Sequence, residues 1–384
     1  MSKFSSVFSQ ILQIFSRHDF ARAVMETNAE RHAKGFTCWD QFVAMVFCQL
    51  GQAKSLREIC GGLASSLGKL RHLGIQSAPN RSTLSYANEH RPWQLYENVF
   101  YQLLDRCQLL ANGKKKFRFK NKLFSLDATV IKLCVELFDW AKYRQTKGAV
   151  KLHLLLDHDG YLPVFAHITE GLVHEVNVAR DLSFPPGSIV AIDRGYWDYG
   201  LFSRWTDDGV YFVTRMKSNA VYDVIEQRAV PQDRAILGDC TIRLNSKKCR
   251  HTLRMIEVWD ARNCKVVTLL TNHLGFGATT IADVYRDRWQ IEIFFKTIKQ
   301  NLKIKTFVGT SPNALLVQIW TALISILILK YLKLRSSFCW SMSNLVAMLR
   351  YNLFTHRDLW EWIDSPYEPP PVVAPTGQLV FDLR

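Results

Sequence analysis

Apolar residues recur every three or four positions through the first 112 residues, which is the spacing of one face of an α-helix. Residues 4–15 and 42–50 follow this pattern, and Ser55 begins a further stretch with a capping-box-like start. Alternating β-branched residues are few in this region. The pattern therefore predicts a helical region over residues 1–112.

From residue 123 onward the pattern changes to alternating or continuous apolar runs of strand length. Five such runs lie before residue 217: residues 124–133, 151–158, 162–169, 188–193 and 211–216. Asp159 and Gly160 favour a hairpin between the second and third runs, and a helix is predicted over residues 197–205. Hairpin-linked strands followed by alternating strand and helix predict a mixed α/β sheet.

Three further segments complete the chain. Residues 218–273 contain short predicted strands (240–244, 252–259 and 265–271) between polar turns rich in Lys and Arg. Residues 285–299 lack Pro and Gly and follow Thr279 and Thr280, so we predict one N-capped helix there. Residues 314–329 are apolar but a little short of membrane-spanning length, which favours a buried core helix.

These patterns divide the chain into five predicted parts. They are a helical DNA-binding domain (1–112), a basic linker (113–122), an α/β core (123–217 and 274–310), a β-rich insertion (218–273) and a C-terminal helical region (311–384).

Composition narrows the function. The 384 residues carry a net charge of +15, which favours a polyanionic partner such as nucleic acid, although a membrane surface or simple solubility would fit the same balance. The nine cysteines are scattered without a CxxC pair, which argues against a disulfide framework or a zinc ribbon. No apolar run near the N-terminus is long enough for a signal peptide. We therefore expect a cytoplasmic protein that is not inserted in a membrane.

Two N-terminal segments are candidates for DNA contact. Residues 80–88 resemble the second helix of a helix-turn-helix unit, which would present Arg81, Ser82, Ser85, Asn88 and Arg91 to a groove. A polar surface helix in an ordinary bundle explains the same residues. The linker carries six positive charges, and Lys115 and Lys116 among them could contact phosphates, unless the linker is simply solvated.

Two aspartates interrupt apolar strands, where a charge is costly unless it has a partner. Asp127 lies within one predicted strand, and Asp193 ends another, directly before Arg-Gly-Tyr. If the two strands are neighbours, the carboxylates lie side by side and divalent cations would relieve their repulsion. Either aspartate alone is equally explained as a turn or strand-end residue. Glu175 could support this site or form an ion pair in a loop.

A third carboxylate lies on the predicted helix over residues 285–299. Tyr285, Arg288, Glu292 and Lys299 fall within an arc of roughly 60° on one face. Glutamate is a hard oxygen ligand, the two cations suit phosphate oxygens, and Lys296 adds positive charge. A solvated helix with i,i+4 ion pairs has the same spacing. Together with Asp127 and Asp193, however, Glu292 predicts a site for Mg²⁺ or Mn²⁺ of the kind that cleaves and transfers phosphodiesters.

In this order and context the residues resemble the DDE transposases of bacterial insertion sequences. The resemblance is carried by strand Asp127, by Asp193 with its Arg-Gly-Tyr, and by Tyr-x2-Arg-x3-Glu-x6-Lys over residues 285–299. The last motif is the Tyr-Arg-Glu-Lys signature of the insertion-sequence-four family. The separation between Asp193 and Glu292 also leaves room for the β insertion typical of that branch. The resemblance covers about residues 122–335 well and the helical N-terminal region more loosely.

The resemblance implies a ribonuclease-H-like mixed sheet core with a β-rich insertion, in which Asp127, Asp193 and Glu292 bind two Mg²⁺ or Mn²⁺ ions. Arg288 and Lys299 would hold phosphates of the element's end, with Tyr285 beside them. The implied reaction is cleavage at the terminal inverted repeats followed by joining of the 3′-hydroxyls to double-stranded target DNA. A homodimer would hold the two ends together.

A hairpin intermediate is common in this branch, and some members hold a flipped base with a Trp ahead of a Leu-Leu-Thr strand. Residues 267–271 here contain no Trp. Trp259, at the end of the preceding predicted strand, is either a substitute or a plain core aromatic.

Other functions fit parts of the same pattern. One is a ribonuclease-H-like nuclease that cuts without joining. Another is a catalytically inactive DNA-binding protein derived from a transposase. A third is a membrane-associated protein built on residues 314–329.

Overall fold

The computed structural model describes residues 5–31, 33–66, 68–133, 140, 142–144, 147–230, 235–302 and 307–367. Six α-helices lie in the described N-terminal part: α1 (Val7–Leu12), α2 (Arg17–Glu26), α3 (Cys38–Leu50), α4 (Leu56–Ala64), α5 (Arg81–His90) and α6 (Gln94–Ala111). The first four begin at serine or threonine caps, whose side chains accept the N–H three residues on. The cap before α4 is Ser55, as predicted.

Ten strands form one twisted sheet in the described residues. They are β1 (Leu123–Leu133), β2 (Lys142–Arg144), β3 (Lys147–Asp157), β4 (Leu162–Glu170), β5 (Ile189–Ile192), β6 (Tyr211–Arg215), β7 (Tyr222–Gln227), β8 (Ile236–Leu244), β9 (Thr252–Asp260) and β10 (Lys265–Thr271). Their order is β2-β3-β1-β5-β6-β10-β9-β8-β7, and β4 also pairs with β3. All five strands predicted before residue 217 are present.

The centre of the sheet is mixed. Strand β1 is antiparallel to β3 and parallel to β5, and β5 is parallel to β6. Helix α7 (Glu175–Asp181) precedes β5, and α8 (Tyr199–Asp207) connects β5 to β6. All four residues of β5 are buried, which explains its unbroken apolar sequence. In the order β4-β3-β1-β5-β6, the strands β4, β3 and β1 are antiparallel neighbours, and β1, β5 and β6 are parallel neighbours. This order confirms the predicted ribonuclease-H-like mixed sheet.

The β-rich segment after residue 218 continues this sheet. Strand β10 pairs antiparallel with β6, with Leu269 opposite Arg215, and β9, β8 and β7 follow outward. Strand β7 was not predicted, because exposed residues occupy most of its positions and leave no apolar alternation. The insertion therefore lengthens the core sheet at one edge.

The helix predicted over residues 285–299 is interrupted. Helix α9 (Ala278–Asp287) ends and α10 (Trp289–Asn301) begins around Arg288. The Arg288 N–H lies 3.3 Å from the carbonyl oxygens of both Val284 and Tyr285, which is the shared bond of a tightened turn. The predicted threonine cap is also wrong, since α9 begins after Gly277 without a side-chain cap. The signature therefore spans two helices joined by a turn.

Three helices follow: α11 (Pro312–Arg335), α12 (Met342–Asn352) and α13 (Leu359–Asp364). In the described part of the chain α11 is the one helix long and apolar enough to cross a membrane, but 83% of its most apolar window is buried within the protein. It packs against α3, α5 and α6, and the N- and C-terminal helices share a core with one face of the sheet. The predicted buried core helix over residues 314–329 is confirmed.

Candidate active site

Asp127 and Asp193 lie next to each other at the middle of the sheet. Strands β1 and β5 pair in parallel register, with Leu126 opposite Ile192 as the last described pair. Asp127 follows Leu126 within β1, and Asp193 follows Ile192 directly after the end of β5. The pairing therefore brings both carboxylates to the same position across the sheet. Asp193 then caps the turn Arg194–Tyr196, where its carboxylate accepts the Gly195 N–H. The sequence did not decide whether the strands of Asp127 and Asp193 are neighbours; the structure shows that they are.

Arg288 connects the strand carboxylates to the helix carboxylate. Its Nη1 lies 3.5 Å from Asp127 Oδ2, and its Nη2 lies 2.8 Å from Glu292 Oε1. The guanidinium is buried, while the Asp127 and Glu292 side chains keep 20% and 33% exposure. The turn between α9 and α10 thus places one cation between two acidic groups that are 165 positions apart in the sequence.

The cluster carries more negative charge than its neighbours neutralise. The pKa of Asp127 is raised to about 6, chiefly by burial and in part by Asp193 and Glu292, against the lowering effect of the Ala128 N–H and of Arg288. Burial by itself lowers the pKa of Arg288, but Tyr285 and the acidic groups raise it, so the guanidinium stays charged. A cation bound beside Asp127 would relieve this imbalance.

The other signature residues face the same strand. Lys299 Nζ donates to Thr129 Oγ1, two residues beyond Asp127 and on the same face of β1. Tyr285 lies against Arg288, whose Cζ is 5.5 Å from the ring centre. Burial raises the pKa of Tyr285 to about 12. The Tyr285 hydroxyl and Arg288 Nε are buried without a well-formed hydrogen bond to any described residue, so both remain available to a ligand oxygen.

Two side chains beside Asp193 complete the polar surroundings. Glu175 pairs with Lys151 at 3.1 Å, so it forms the predicted ion pair, although the pair joins the start of α7 to β3 and does not lie in a loop. A Cβ at Gly195 would be in ordinary van der Waals contact with Glu175 Oε2 at 3.5 Å, which places the Glu175 carboxylate directly beside the turn. Tyr196 is buried nearby, and burial together with Asp127, Glu175 and Asp193 raises its pKa well above the usual value. Sequence reasoning counted Tyr196 as part of the Arg-Gly-Tyr motif but gave it no role of its own.

A cavity of about 990 Å³ opens beside this site, between the insertion and the α9–α10 pair. Trp259 and Trp289 line it with 41% and 57% of their surface exposed, and Arg215 and Tyr285 lie on its wall. The interpretation of Trp259 as a plain core aromatic is therefore wrong. Trp289 was missed, although an exposed Trp directly after Arg288 in the signature is a usable signal.

The predicted N-terminal contacts divide into two groups. Arg81, Ser82 and Ser85 are exposed on α5. Asn88 is instead 2% exposed and accepts a hydrogen bond from Gln41, so its predicted place in a DNA groove is wrong. Arg91 donates to the carbonyl oxygens of Phe36 and Thr37, which holds it inside the bundle. Residues 65–80 separate α4 from α5, so these helices lack the short turn of a compact helix-turn-helix.

The remaining predicted cations are near the core but not at the carboxylates. Lys115 is exposed and donates to the Lys120 carbonyl, and Lys296 is exposed on α10. Lys116 forms an ion pair with the buried Asp287 carboxylate, with Nζ 2.5 Å from Oδ1.

No three His, Cys, Asp or Glu side chains of the described ranges form a ready-made metal ligand set. Arg288 lies between Asp127 and Glu292, which accounts for this arrangement. The chemistry of the donors nevertheless fits a hard divalent cation, because the Asp193 and Glu292 carboxylates lie close enough to Asp127 to contribute to its raised pKa.

The fold and this site together define a ribonuclease-H-like protein with one acidic residue within a central strand and another directly after the parallel strand beside it. Residues 118–328 match the model of the transposase DDE domain, and residues 3–76 match a domain of unknown function (DUF4372). The first match covers more than half of the chain. The chain therefore belongs to the DDE transposases of bacterial insertion sequences.

Individual proteins agree with this assignment. The chain is 31% identical over 330 residues to y4zB of Sinorhizobium fredii, described as a transposase, covering 83% of this chain and 89% of that one. It is 28% identical over 254 residues to a protein of Geobacillus stearothermophilus described as the transposase for insertion sequence element IS5377, covering 65% and 67%. A chain of the cryo-EM structure of the piggyBac transposase synaptic complex with hairpin DNA is a distant structural neighbour, with 10% identity, a TM-score of 0.44 and 96% and 81% coverage.

Proposed function

We propose that this transposase binds the terminal inverted repeats of its insertion sequence, cleaves the DNA there and joins the freed 3′-hydroxyls to target DNA. Asp127, Asp193 and Glu292 would form the active site for both steps. The observation that carries the proposal is the parallel register of β1 and β5, which brings the two aspartates together, with Arg288 joining Glu292 to Asp127. Two Mg²⁺ or Mn²⁺ ions held by the three carboxylates would stabilise charge on the attacking and leaving oxygens.

The protein's own side chains would bind and orient the phosphates. Arg288 now shares its charge between Asp127 and Glu292. In the DNA-bound protein the same guanidinium would hold a phosphate at the element's end, since Arg forms bidentate hydrogen bonds with phosphate as well as with carboxylate. Lys299 would supply a second cation above Thr129, and the Tyr285 hydroxyl a hydrogen-bond donor.

The cavity beside Tyr285 supports a role in holding a DNA end. Its two partly exposed Trp side chains, Trp259 and Trp289, offer flat apolar faces on which an unpaired base can stack. Arg215 on its wall adds a cation for the adjoining phosphate. This arrangement suits a distorted DNA end, which a hairpin step requires.

DNA outside the site would be held by the exposed cations. Arg81 on α5, Lys115 in the linker and Lys296 on α10 would bind the phosphate backbone. Lys116, predicted as a further phosphate contact, is already paired with Asp287. Two copies of the chain would hold the two ends of the element in a homodimer on the bacterial nucleoid.

The test is a cleavage assay on the inverted repeats that flank the reading frame. Wild-type protein with Mg²⁺ should nick these ends and then join them to a supercoiled target plasmid. Asp193→Ala should bind the same DNA but neither cut nor join. Asp198→Asn is the matched control, because Asp198 caps α8 and pairs with Arg180 outside the site. Cleavage without joining would show a nuclease instead, and absence of cleavage by the wild type would leave only DNA binding.

A further inference from the structure

A buried hydrogen-bond network lies directly behind the active-site turn. Asp287, the last residue of α9, has a side chain only 1% exposed. Its Oδ2 accepts from His158 Nδ1 at 2.7 Å and from the Tyr161 hydroxyl at 3.1 Å, and its Oδ1 accepts from Lys116 Nζ. Burial alone would raise the pKa of Asp287, but the bonds from His158 and Lys116 lower it, so the carboxylate stays ionised.

The network continues to the central strand. His158 Nε2 lies 2.7 Å from Ser125 Oγ, and both side chains are buried. A neutral His158 satisfies both contacts by donating from Nδ1 to Asp287 and accepting the Ser125 O–H at Nε2. Serine, histidine and aspartate in this order also form hydrolytic triads. Ser125 is completely buried, however, so it cannot meet a substrate, and the network has another purpose.

The network and the active site are attached to the same two pieces of backbone. Ser125 precedes Asp127 by two residues on β1, so both side chains lie on one face of the sheet. Asp287 directly precedes Arg288 at the α9–α10 turn. One side of this junction is therefore tied to β1 through His158, and the other side reaches β1 through Arg288 and Asp127.

We propose that Asp287 and His158 are positioning residues, which hold the α9–α10 turn against β1 so that Arg288 and Glu292 meet Asp127. This inference rests on the proposed function for its catalytic consequence. Arg288 keeps helical backbone angles (φ −50°, ψ −31°), but its N–H is shared between the Val284 and Tyr285 carbonyl oxygens, so the regular ladder is weakened at this turn and tertiary contacts help to fix its geometry. Asp287 bonds two other segments directly, the linker through Lys116 and the hairpin after β3 through His158 and Tyr161. It reaches β1 through His158 and Ser125.

The first measurement separates positioning from DNA binding. In Asp287→Asn the rate constant for end cleavage at saturating DNA should fall roughly 100-fold, the scale expected for a misplacement of about 1 Å, whereas affinity for the ends should stay unchanged. His158→Ala should do the same. His158→Asn keeps a donor close to the Nδ1 position, so it should recover most of the rate.

Asp239→Asn is the matched control for lost stability. Asp239 and Arg254 form a buried ion pair in the insertion, both 3% exposed, with bonds of 2.8 and 2.6 Å. This variant should lose stability as Asp287→Asn does, but its cleavage rate constant below the unfolding temperature should equal that of the wild type. Ser125→Ala serves if Asp287→Asn does not fold, because it removes only the far end of the network.

The second measurement needs no activity. Hydrogen–deuterium exchange should accelerate at residues 286–292 in Asp287→Asn and in Ser125→Ala, and should stay at the wild-type rate there in Asp239→Asn. Unchanged exchange at this junction would overturn the inference, as would a cleavage rate that falls no further than in the Asp239 control. If the wild type cleaves no DNA, the proposed function fails, and the exchange data still decide whether Asp287 positions the turn.

Discussion

Replacing Asp127 by asparagine should stabilise the folded protein while it removes DNA cleavage. Burial and the neighbouring carboxylates raise the pKa of Asp127 from 3.8 to about 6. Each pKa unit corresponds to about 1.36 kcal/mol, so the ionised carboxylate opposes folding by roughly 3 kcal/mol at neutral pH. An amide of the same shape removes this charge. Most substitutions destabilise by about 1 kcal/mol, so a gain is a distinctive result.

The stability gained by Asp127→Asn should depend on pH, because the pKa of Asp127 differs between the folded and the unfolded protein. Because the folded-state pKa of Asp127 lies above its unfolded value, the protonated folded form is favoured between about pH 4 and pH 6. The stability contributed by Asp127 is present below about pH 4 and is lost as pH rises through about 6. The advantage of Asp127→Asn over the wild type should therefore be absent at pH 4, grow through pH 6 and reach its full size by pH 8.

The assay is thermal unfolding in EDTA at pH 4, 6 and 8, with end cleavage in Mg²⁺ measured separately. Asp198→Asn controls for a carboxylate-to-amide change outside the site, and its effect should stay within about 1 kcal/mol without this pH trend. Equal or lower stability of Asp127→Asn at pH 8 would refute the claim that the site holds uncompensated negative charge. Retained cleavage would refute the role of Asp127 in the reaction.

Two further predictions test the metal ions and the N-terminal helices. Adding Mn²⁺ should raise the unfolding temperature of the wild type, because a ligand of the folded state stabilises that state, and removing the ion with EDTA should reverse the rise. Asp193→Ala should show no such rise. An equal rise in both proteins would place the ions elsewhere. Asn88→Ala should lower stability by roughly 1–3 kcal/mol, because it leaves the buried Gln41 amide unpaired, with binding of the ends unchanged. Arg81→Ala should instead weaken binding of the ends and reduce its salt dependence, with stability unchanged. Fluorescence anisotropy at several salt concentrations, together with thermal unfolding, distinguishes the two variants, and the opposite pattern would exclude α5 as a DNA-binding helix.

The strands of the core could be predicted from the sequence because each has a local cause. An apolar run of strand length must be buried, and β1, β3, β4, β5 and β6 are such runs. The two aspartates could be singled out for the same reason, since a carboxylate in an apolar strand needs a partner. The residues of the signature could be placed together because a helical period keeps them on one side.

The interruption at Arg288 could not be predicted in the same way. Nothing in residues 285–299 breaks a helix by local propensity, since Pro and Gly are absent. The turn exists where Asp287 and Arg288 have partners on other segments: His158 and Lys116 on one side, and Asp127 on the other. Sequence periodicity contains no information about these contacts.

Burial of polar and aromatic side chains was decided by tertiary structure as well. Asn88 has a polar side chain of the kind that contacts a DNA groove, but it is buried in the helical core and accepts a hydrogen bond from Gln41. Trp259 has a large apolar side chain of the kind found in protein cores, but it lies partly exposed on a cavity wall. The reason is that the insertion extends the sheet instead of folding over it.

The sequence by itself determined which residues form the candidate site, because charges within apolar strands and cations at helical spacing are local signals. Only the tertiary structure decided how they meet. The register of β1 against β5 and the turn at Arg288 arise from contacts between segments that are far apart in the chain. Such contacts depend on packing and on buried hydrogen bonds, which no local pattern records.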